Sequence, residues 1–167
     1  MAMNKIFLFG IDKAGKTSIV NAIKKIPNPG ETKPTKRFNI NELEIKNTLF
    51  VIWDAPGQTV YRERWPKGVE SSAVLCFVLD VLTPERFDEA REVLQQVLEN
   101  PETNGLPLVI CFHKIDVPDY KNHLAKAKEM FDPSKFESRE VHALETTIFN
   151  PDSILELEEL FVNLMTD

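Results

Sequence analysis

The sequence predicts an α/β fold built on a six-stranded, mostly parallel sheet with one antiparallel edge strand and helices on both faces. Apolar runs typical of buried strands alternate with segments in which apolar residues recur at helical spacing. The strand segments 38–45 and 48–53 are separated only by Lys46-Asn47, which favours a tight turn between antiparallel neighbours. The chain of 167 residues fits one domain, residues 1–167, with a full-sized core.

The N-terminal half contains the first strand, the first helix and the most apolar strand. Residues 5–9 predict a short buried strand, and residues 17–26 carry apolar side chains at helical spacing. Residues 73–80 read AVLCFVLD, as in a strand that is covered on both faces. Thr83 and Pro84 then predict a helix start, with Thr83 as the N-cap and Pro84 in the first turn.

The C-terminal half continues the alternation. Residues 106–112 predict a second buried strand, residues 121–131 a helix and residues 140–144 a short strand. Asn150-Pro151 opens a last helix with one apolar stripe. This alternation is what a parallel sheet with crossover helices requires.

A glycine-rich sequence joins the first strand to the first helix. Residues 10–17 read GIDKAGKT and match the phosphate-binding pattern Gly-x₄-Gly-Lys-Thr without an exception. In such a loop, backbone N–H groups and a helix N-terminus surround a pyrophosphate. We therefore expect Lys16 to reach the β- and γ-phosphates and the Thr17 hydroxyl to bind Mg²⁺.

Two further segments supply metal-binding and water-positioning groups. Asp54 ends an apolar strand, and a carboxylate there can hold the same Mg²⁺ as Thr17. Gly57 can bring its N–H close to a γ-phosphate, and Gln58 can orient an attacking water. Thr35, in a loop before the second strand, can complete the Mg²⁺ shell when a γ-phosphate is present. Taken singly, a strand-end aspartate or a loop threonine is equally explained as an ordinary turn residue.

The segments after the last two predicted strands carry groups that suit guanine. Asp116 can accept hydrogen bonds from the N1–H and the exocyclic amine of guanine, a donor pair that adenine lacks. The stem of Lys114, which follows His113, can lie over the base. Backbone N–H groups near Ile148 can bond the guanine O6, with Thr147 bracing that loop.

In this order and spacing, these segments resemble those of small GTPases, and within that superfamily the ADP-ribosylation-factor-like branch. The resemblance extends from residue 4 to residue 165. The motifs that carry it are the phosphate loop with its acidic Asp12, Pro34-Thr35 with Phe38-Asn39, Trp53-Asp54 with Gly57-Gln58 and Trp65, and residues 85–92.

The resemblance implies a molecular switch that binds GTP or GDP with Mg²⁺ and hydrolyses GTP slowly. The implied metal ligands are Thr17, Thr35 and Asp54, and the implied catalytic residues are Lys16, Thr35 and Gln58. The implied nucleotide contacts are Gly10, Asp12, Lys13, Ala14, Gly15, Lys16, Thr17, Ser18, Thr35, Gly57, His113, Lys114, Asp116, Thr147 and Ile148. The implied partners are an exchange factor, a GTPase-activating protein and effector proteins, which would meet an aromatic surface of Phe38, Trp53 and Trp65.

The sequence departs from that family at four positions. His113 stands where an asparagine normally braces the phosphate loop, and Pro56, which has no N–H, replaces a glycine or alanine. Lys13 replaces a small residue of the phosphate loop. Gly68 replaces an aromatic of the effector surface, so we expect different partners.

Two alternative functions stay open at this stage. Pro56 and His113 favour a hydrolysis-impaired, nucleotide-dependent binding module. A small P-loop kinase would need a basic lid, for which no arginine cluster is evident, and would leave Asp116 and Gln58 without roles. Arg37 is a candidate catalytic arginine of the chain itself, although a solvated loop charge explains it better.

Composition narrows the partners further. The net charge of −6 argues against nucleic acid. Cys76 and Cys111 lie in apolar runs, so we expect buried thiols rather than a disulfide. Ala2 excludes myristoylation, and no signal peptide, membrane-spanning run or C-terminal prenylation cysteine is visible. We therefore expect a cytoplasmic protein without a direct membrane anchor.

Overall fold

A computed structural model describes residues 4–27, 29–30, 37–115, 120–136 and 138–165. Six strands form one sheet in the order β2-β3-β1-β4-β5-β6. The strands are β1 (Asn4–Phe9), β2 (Asn39–Ile45), β3 (Thr48–Asp54), β4 (Val74–Asp80), β5 (Leu108–His113) and β6 (Val141–Thr146). Only β2, at one edge, is antiparallel to its neighbour. The predicted sheet is confirmed.

Five helices cover the two faces of the sheet. They are α1 (Lys16–Ile23), α2 (Trp65–Val69), α3 (Phe87–Glu99), α4 (Tyr120–Met130) and α5 (Pro151–Met165). The alternation of side chains along β1 separates two cores, because successive residues of a strand point to opposite faces. Phe7 and Phe9 pack in the core with α2, α3 and α4. Ile6 and Leu8 pack in the core with α1 and α5.

The antiparallel pair closes at the predicted turn. Lys46 and Asn47 both have positive φ, 50° and 64°. Positive φ at both central residues is the mark of a type I′ turn, whose twist matches that of the flanking strands. The two-residue connection therefore fixes the register in which Ile45 faces Thr48.

One predicted helix boundary is wrong, and another is correct in position but not in the type of its first turn. The first helix ends at Ile23 rather than residue 26, and Lys25 follows with a left-handed φ of 59°. Thr83 takes the predicted N-cap position, ahead of Pro84 in a first turn, but its side chain makes no capping hydrogen bond. Its hydroxyl donates to the Asp80 carbonyl at 3.3 Å. A 3₁₀ turn at Pro84–Arg86 comes first, and α3 begins only at Phe87.

The two cysteines lie in the core, as predicted. Cys76 and Cys111 are free thiols on β4 and β5 with their Sγ atoms 3.8 Å apart. Contact with the Cys111 thiol and burial raise the pKa of Cys76. Among the helices of the described ranges, none has the length and apolar character needed to span a bilayer.

Candidate phosphate and metal site

The loop between β1 and α1 is shaped by two glycines. A Cβ at Gly10 would lie 2.5 Å from the Val78 carbonyl oxygen of the neighbouring strand. Gly15 has a φ of 104°, and a Cβ there would lie 2.5 Å from the His113 ring. A side chain at either position would force the loop away from the sheet edge. The glycines of the motif are thus required by close packing and, at Gly15, by the backbone conformation.

The loop curls around the ammonium group of Lys16. Lys16 starts α1, and its Nζ donates to the carbonyl oxygens of Gly10 at 3.2 Å and Ile11 at 3.1 Å. The residue is only 6% exposed. Burial lowers the pKa of Lys16 to about 8, against the opposing influence of the Asp54 and Asp12 carboxylates. A buried cation without a full counter-charge favours binding of an anion.

Asp54 and Thr17 form the pair that fits a metal ion. Asp54 ends β3 beside Leu8 of β1, and its Oδ2 accepts a hydrogen bond from Thr17 Oγ1 at 2.6 Å. Its other oxygen, Oδ1, is buried and has no hydrogen-bond partner among the residues that the structure describes. Burial raises the pKa of Asp54, and the Thr17 hydroxyl and Lys16 oppose that shift.

An orphaned carboxylate oxygen beside a hydroxyl is the donor set that Mg²⁺ takes when phosphates supply its other ligands. Across the ranges that the structure describes, no three His, Cys, Asp or Glu side chains cluster to form an all-protein metal site. The Thr17 hydroxyl and the unpartnered oxygen of Asp54 fit Mg²⁺ held jointly with phosphate.

Gly57 lies directly against the phosphate loop. A Cβ at Gly57 would be 2.7 Å from both the Asp12 amide nitrogen and Lys16 Nζ. Two hydrogen bonds secure this segment: Trp65 Nε1 donates to the Pro56 carbonyl at 2.8 Å, and Arg62 Nε donates to the Gly57 carbonyl at 2.8 Å. Gly57, whose N–H is predicted to approach a γ-phosphate, thus lies against the phosphate loop beside Lys16.

Gln58 follows at the start of a 3₁₀ turn, Thr59–Arg64. The residue is half-buried, and its carbonyl accepts from the Tyr61 amide at 3.0 Å. Ser18, the other predicted contact beside the loop, is half-buried on α1. Ala14 is fully buried in the core beneath the loop.

His113 and Lys114 tie the phosphate loop to the sheet edge. His113 ends β5, is 2% exposed, and has its Nδ1 2.9 Å from Thr146 Oγ1 while its ring packs on Gly15. Lys114 Nζ donates to the Lys13 carbonyl at 2.9 Å and to Asp80 Oδ2 at 2.9 Å. The histidine that stands in place of asparagine therefore still connects the two segments.

Thr147, predicted to brace its loop, makes two hydrogen bonds there. Its Oγ1 accepts from the Phe149 amide at 3.2 Å, and its own amide donates to Ser153 Oγ at 3.0 Å. Ile148 is half-buried and lies beside Gly30, where an added Cβ would be 3.1 Å from Ile148 Cδ1.

Thr35 and Asp116, two of the predicted site residues, lie outside the described residues. Arg37 is exposed and makes no ion pair with the residues that the structure describes.

Sequence reasoning missed an ion network that holds Asp12. Arg86 Nη2 donates to Asp12 Oδ1 at 2.7 Å, and Arg62 Nη2 lies 3.7 Å from the same oxygen. Glu89 accepts from both arginines, at 2.8 Å from Arg62 and 3.0 Å from Arg86. The sequence contained one signal of this network, an arginine and a glutamate three positions apart, Arg86 and Glu89. They lie at the start of the helical segment that follows the strand beside the phosphate loop.

This network lowers the pKa values of the two carboxyl groups that it contains. Although desolvation alone would raise it, the pKa of Asp12 is lowered by the hydrogen bond and charge of Arg86. Glu89 likewise keeps a lowered pKa against desolvation, because Arg62 and Arg86 donate to it. The carboxylate of the phosphate loop is thus ionised and directed to arginine.

Of the three aromatic residues predicted to form an effector surface, one is buried and two are half-buried. Trp65 is 5% exposed and packs edge-on against Phe7 and Phe9. Phe38 and Trp53 are half-buried, with ring centroids 5.4 Å apart. The Phe38 ring lies over Gly68, where a Cβ would collide with it. Phe38 therefore fills space that a side chain at position 68 would need.

Comparison with known proteins gives a consistent result. Residues 2–165 match the model of the ADP-ribosylation factor family. The chain is 30% identical over 159 residues to ADP-ribosylation factor-like protein 8d of Arabidopsis thaliana, covering 95% of this chain and 90% of that protein. Its fold is similar to that of the Arl6 BBS3 small GTPase from Trypanosoma brucei with the bound nucleotide analogue GppNp. That match has a TM-score of 0.85 and 18% identity, and covers 97% of this chain and 96% of the other.

Proteins of this kind bind GTP and GDP, typically with Mg²⁺, hydrolyse GTP and interact with regulators and effectors. The phosphate-loop motif and the match over nearly the whole chain both indicate the same family. The chain belongs to the ADP-ribosylation factor family of small GTPases, which are GTP-binding switch proteins.

Proposed function

We propose that this protein is a guanine-nucleotide switch with slow intrinsic GTP hydrolysis, whose two loops around Thr35 and Gly57 respond to the γ-phosphate. One observation carries the proposal. Lys16 Nζ, the Thr17–Asp54 pair with its orphaned Oδ1 and the backbone of Gly57 converge at one end of β1 and β3. These are a phosphate-binding cation, a metal-binding pair and a backbone N–H donor, which phosphoryl transfer requires together.

Each residue takes one role in this scheme. Lys16 binds the β- and γ-phosphates, Gln58 orients the attacking water, and Thr17, Thr35 and Asp54 hold Mg²⁺. Bound Mg²⁺ supplies positive charge that neutralises the phosphate oxygens. Asp116 selects guanine, with Lys114 over the base, His113 and Thr147 bracing the loops, and the N–H groups near Ile148 on O6.

The contact of Gly57 with Lys16 supports a switch. The Gly57 carbonyl accepts a hydrogen bond from Arg62 Nε, and a Cβ at Gly57 would collide with the phosphate loop. A γ-phosphate bound to Lys16 would therefore have to be accommodated by Gly57. Loss of the γ-phosphate on hydrolysis would release Gly57 and Thr35 together, which is the order–disorder mechanism of nucleotide switches. Effectors, an exchange factor and a GTPase-activating protein would read or control the two states.

The first test identifies the nucleotide. The purified protein is denatured and the released nucleotide is separated by chromatography. We expect GDP or GTP, and we expect ATP to compete poorly for the site. Released adenine nucleotide, or effective competition by ATP, would favour a kinase instead.

The Asp116→Asn variant should shift the binding preference of the protein from guanine to xanthine nucleotides.

A second function is favoured by Pro56. Its carbonyl is held by Trp65 Nε1, and its fixed φ limits how the adjoining Gly57-Gln58 segment can move. This arrangement suits a nucleotide-dependent binding module without useful hydrolysis. Single-turnover GTP hydrolysis separates the two proposals: a slower rate in Gln58→Leu supports the switch, and equal rates support the module.

A further inference from the structure

The backbone N–H of Gly57 has no hydrogen-bond acceptor among the residues that the structure describes, although Gly57 is buried. Buried backbone donors without a partner are rare in folded proteins, and each one needs an explanation, such as a ligand that the donor binds. The Lys16 ammonium lies beside this residue, because a Cβ at Gly57 would be 2.7 Å from Lys16 Nζ. The unpaired donor and the cation are therefore within reach of one anion.

The direction of this N–H is set by its own peptide group. The Pro56–Gly57 peptide bond is trans and planar, so the Pro56 carbonyl and the Gly57 N–H point in opposite directions. Trp65 Nε1 donates to the Pro56 carbonyl at 2.8 Å. The indole is 5% exposed and packs edge-on against Phe7 and Phe9, so packing fixes the direction of its N–H. The Gly57 N–H must therefore point away from this aromatic core.

Pro56 leaves this peptide group little other freedom. Its ring locks φ at about −65°, so rotation about ψ is the main motion left on that side of the peptide group. The hydrogen bond from Trp65 restrains that rotation. The following peptide group is held separately, because Arg62 Nε donates to the Gly57 carbonyl at 2.8 Å. The indole bond therefore orients the N–H of Gly57, and Arg62 orients that of Gln58.

We infer that Trp65 is a positioning residue for the γ-phosphate: its indole N–H, acting through the Pro56 carbonyl, aims the Gly57 N–H at the γ-phosphate. The inference rests on the proposed guanine-nucleotide switch, and it holds whether or not GTP is hydrolysed. Trp65 itself does not touch the nucleotide in this arrangement. A donor that already points at the anion binds it more tightly than one that must first be turned, because no ordering is needed on binding.

The first variant is Trp65→Phe, which removes the N–H donor but leaves an aromatic ring in the core. The affinities of the full chain, with Mg²⁺, for a fluorescent non-hydrolysable GTP analogue and for fluorescent GDP are measured by titration. The ratio of the two affinities is the readout, because GDP lacks the γ-phosphate and a general loosening of the core would weaken both nucleotides alike. Phe131→Leu is the control, since Phe131 is a fully buried core residue that packs on Phe77 and Phe87, outside the phosphate site.

A second variant keeps the shape of the indole. The amino acid 3-benzothienylalanine, placed at position 65, carries sulfur where the indole has its N–H. Its ring fills the same space without the donor, so this variant gives the answer even if Trp65→Phe fails to fold.

We expect the affinity ratio of the GTP analogue to GDP to fall at least about fivefold in both variants, because one hydrogen bond to the charged phosphate is misdirected. The control should change the ratio less than about twofold. An unchanged ratio in the benzothienylalanine variant, or equal losses for the two nucleotides, would overturn the inference and leave the proposed function standing. Failure of the wild type to bind guanine nucleotide is a different outcome, and it would overturn the proposed function together with the inference.

Discussion

The Arg86 guanidinium lies 2.7 Å from the Asp12 carboxylate, so the phosphate loop carries an anion that is neutralised by the 3₁₀ turn before α3. A second bond, from Arg86 Nη1 to the Asp12 carbonyl at 3.2 Å, fixes the backbone at the same residue. An uncompensated carboxylate at this point would repel phosphate. The pairing therefore makes an acidic residue compatible with an anion-binding loop.

Replacing Arg86 by glutamine should weaken binding of the triphosphate. Asp12 would keep only Arg62, at 3.7 Å, and its charge would oppose the γ-phosphate. We expect a loss of about tenfold in affinity for a non-hydrolysable GTP analogue, and a smaller loss for GDP. Fluorescent nucleotide titration measures both. Arg91→Gln is the control, because Asp88, an exposed residue, is the one ion-pair partner of Arg91 within the described ranges. Equal losses in the two variants would contradict this role of Arg86.

The same network predicts how stability depends on pH. Arg86 helps to hold the pKa values of Asp12 and Glu89 below their ordinary values of 3.8 and 4.5. Carboxylates of this kind stabilise the fold above their ordinary pKa, and the contribution is lost as the pH falls through the lowered value. The urea midpoint of wild type should therefore exceed that of Arg86→Gln at pH 6. The difference should shrink as the pH falls through 4.5 and 3.8. A gap that widens in acid would show that the network does not act through these carboxylates.

The sheet could be predicted because its strands are local apolar patterns. β1, β4 and β5 are nearly continuous buried runs, and the two-residue turn at Lys46-Asn47 sets the antiparallel edge. The short helix α2 was not predicted. It contains Pro66 and Gly68, which have poor helix propensity, and it forms where Trp65 and Val69 gain burial. Here tertiary packing overrides local preference.

The site was predictable only where a motif specifies it. Lys16, Thr17 and Asp54 gather as the pattern and the sheet topology require. The Arg86–Asp12 pair was not predicted, because the residues are 74 positions apart and no spacing rule links them. The N-cap position of Thr83 was predicted correctly, but its side chain makes no capping hydrogen bond and its hydroxyl donates to the Asp80 carbonyl instead. Such choices depend on side-chain directions that a sequence pattern does not contain.

Gly57→Ala tests the contact between the two segments of the site. The added methyl would lie 2.7 Å from the Asp12 amide and from Lys16 Nζ, so one of them must move. We expect single-turnover GTP hydrolysis to slow at least about tenfold, because misplaced groups lose transition-state stabilisation. Gly30→Ala is the control, since its methyl would meet only the flexible end of Ile148 at 3.1 Å. A normal rate in Gly57→Ala would mean that this contact is absent during the reaction.

Gly68→Ala tests whether the position of the Phe38 ring depends on the absence of a side chain at position 68. The added Cβ would collide with the Phe38 ring, which packs 5.4 Å from Trp53 and 6.2 Å from Phe7. Alanine is a better helix former than glycine by about 1 kcal/mol, so helix propensity alone predicts a gain in stability. Overpacking of a filled site costs about 1–3 kcal/mol, and we expect a net loss in urea denaturation, with changed fluorescence from Trp53. Lys67→Ala, an exposed change on the same helix, should show neither effect. If Gly68→Ala were as stable as wild type or more so, Phe38 would not be held over Gly68 in solution.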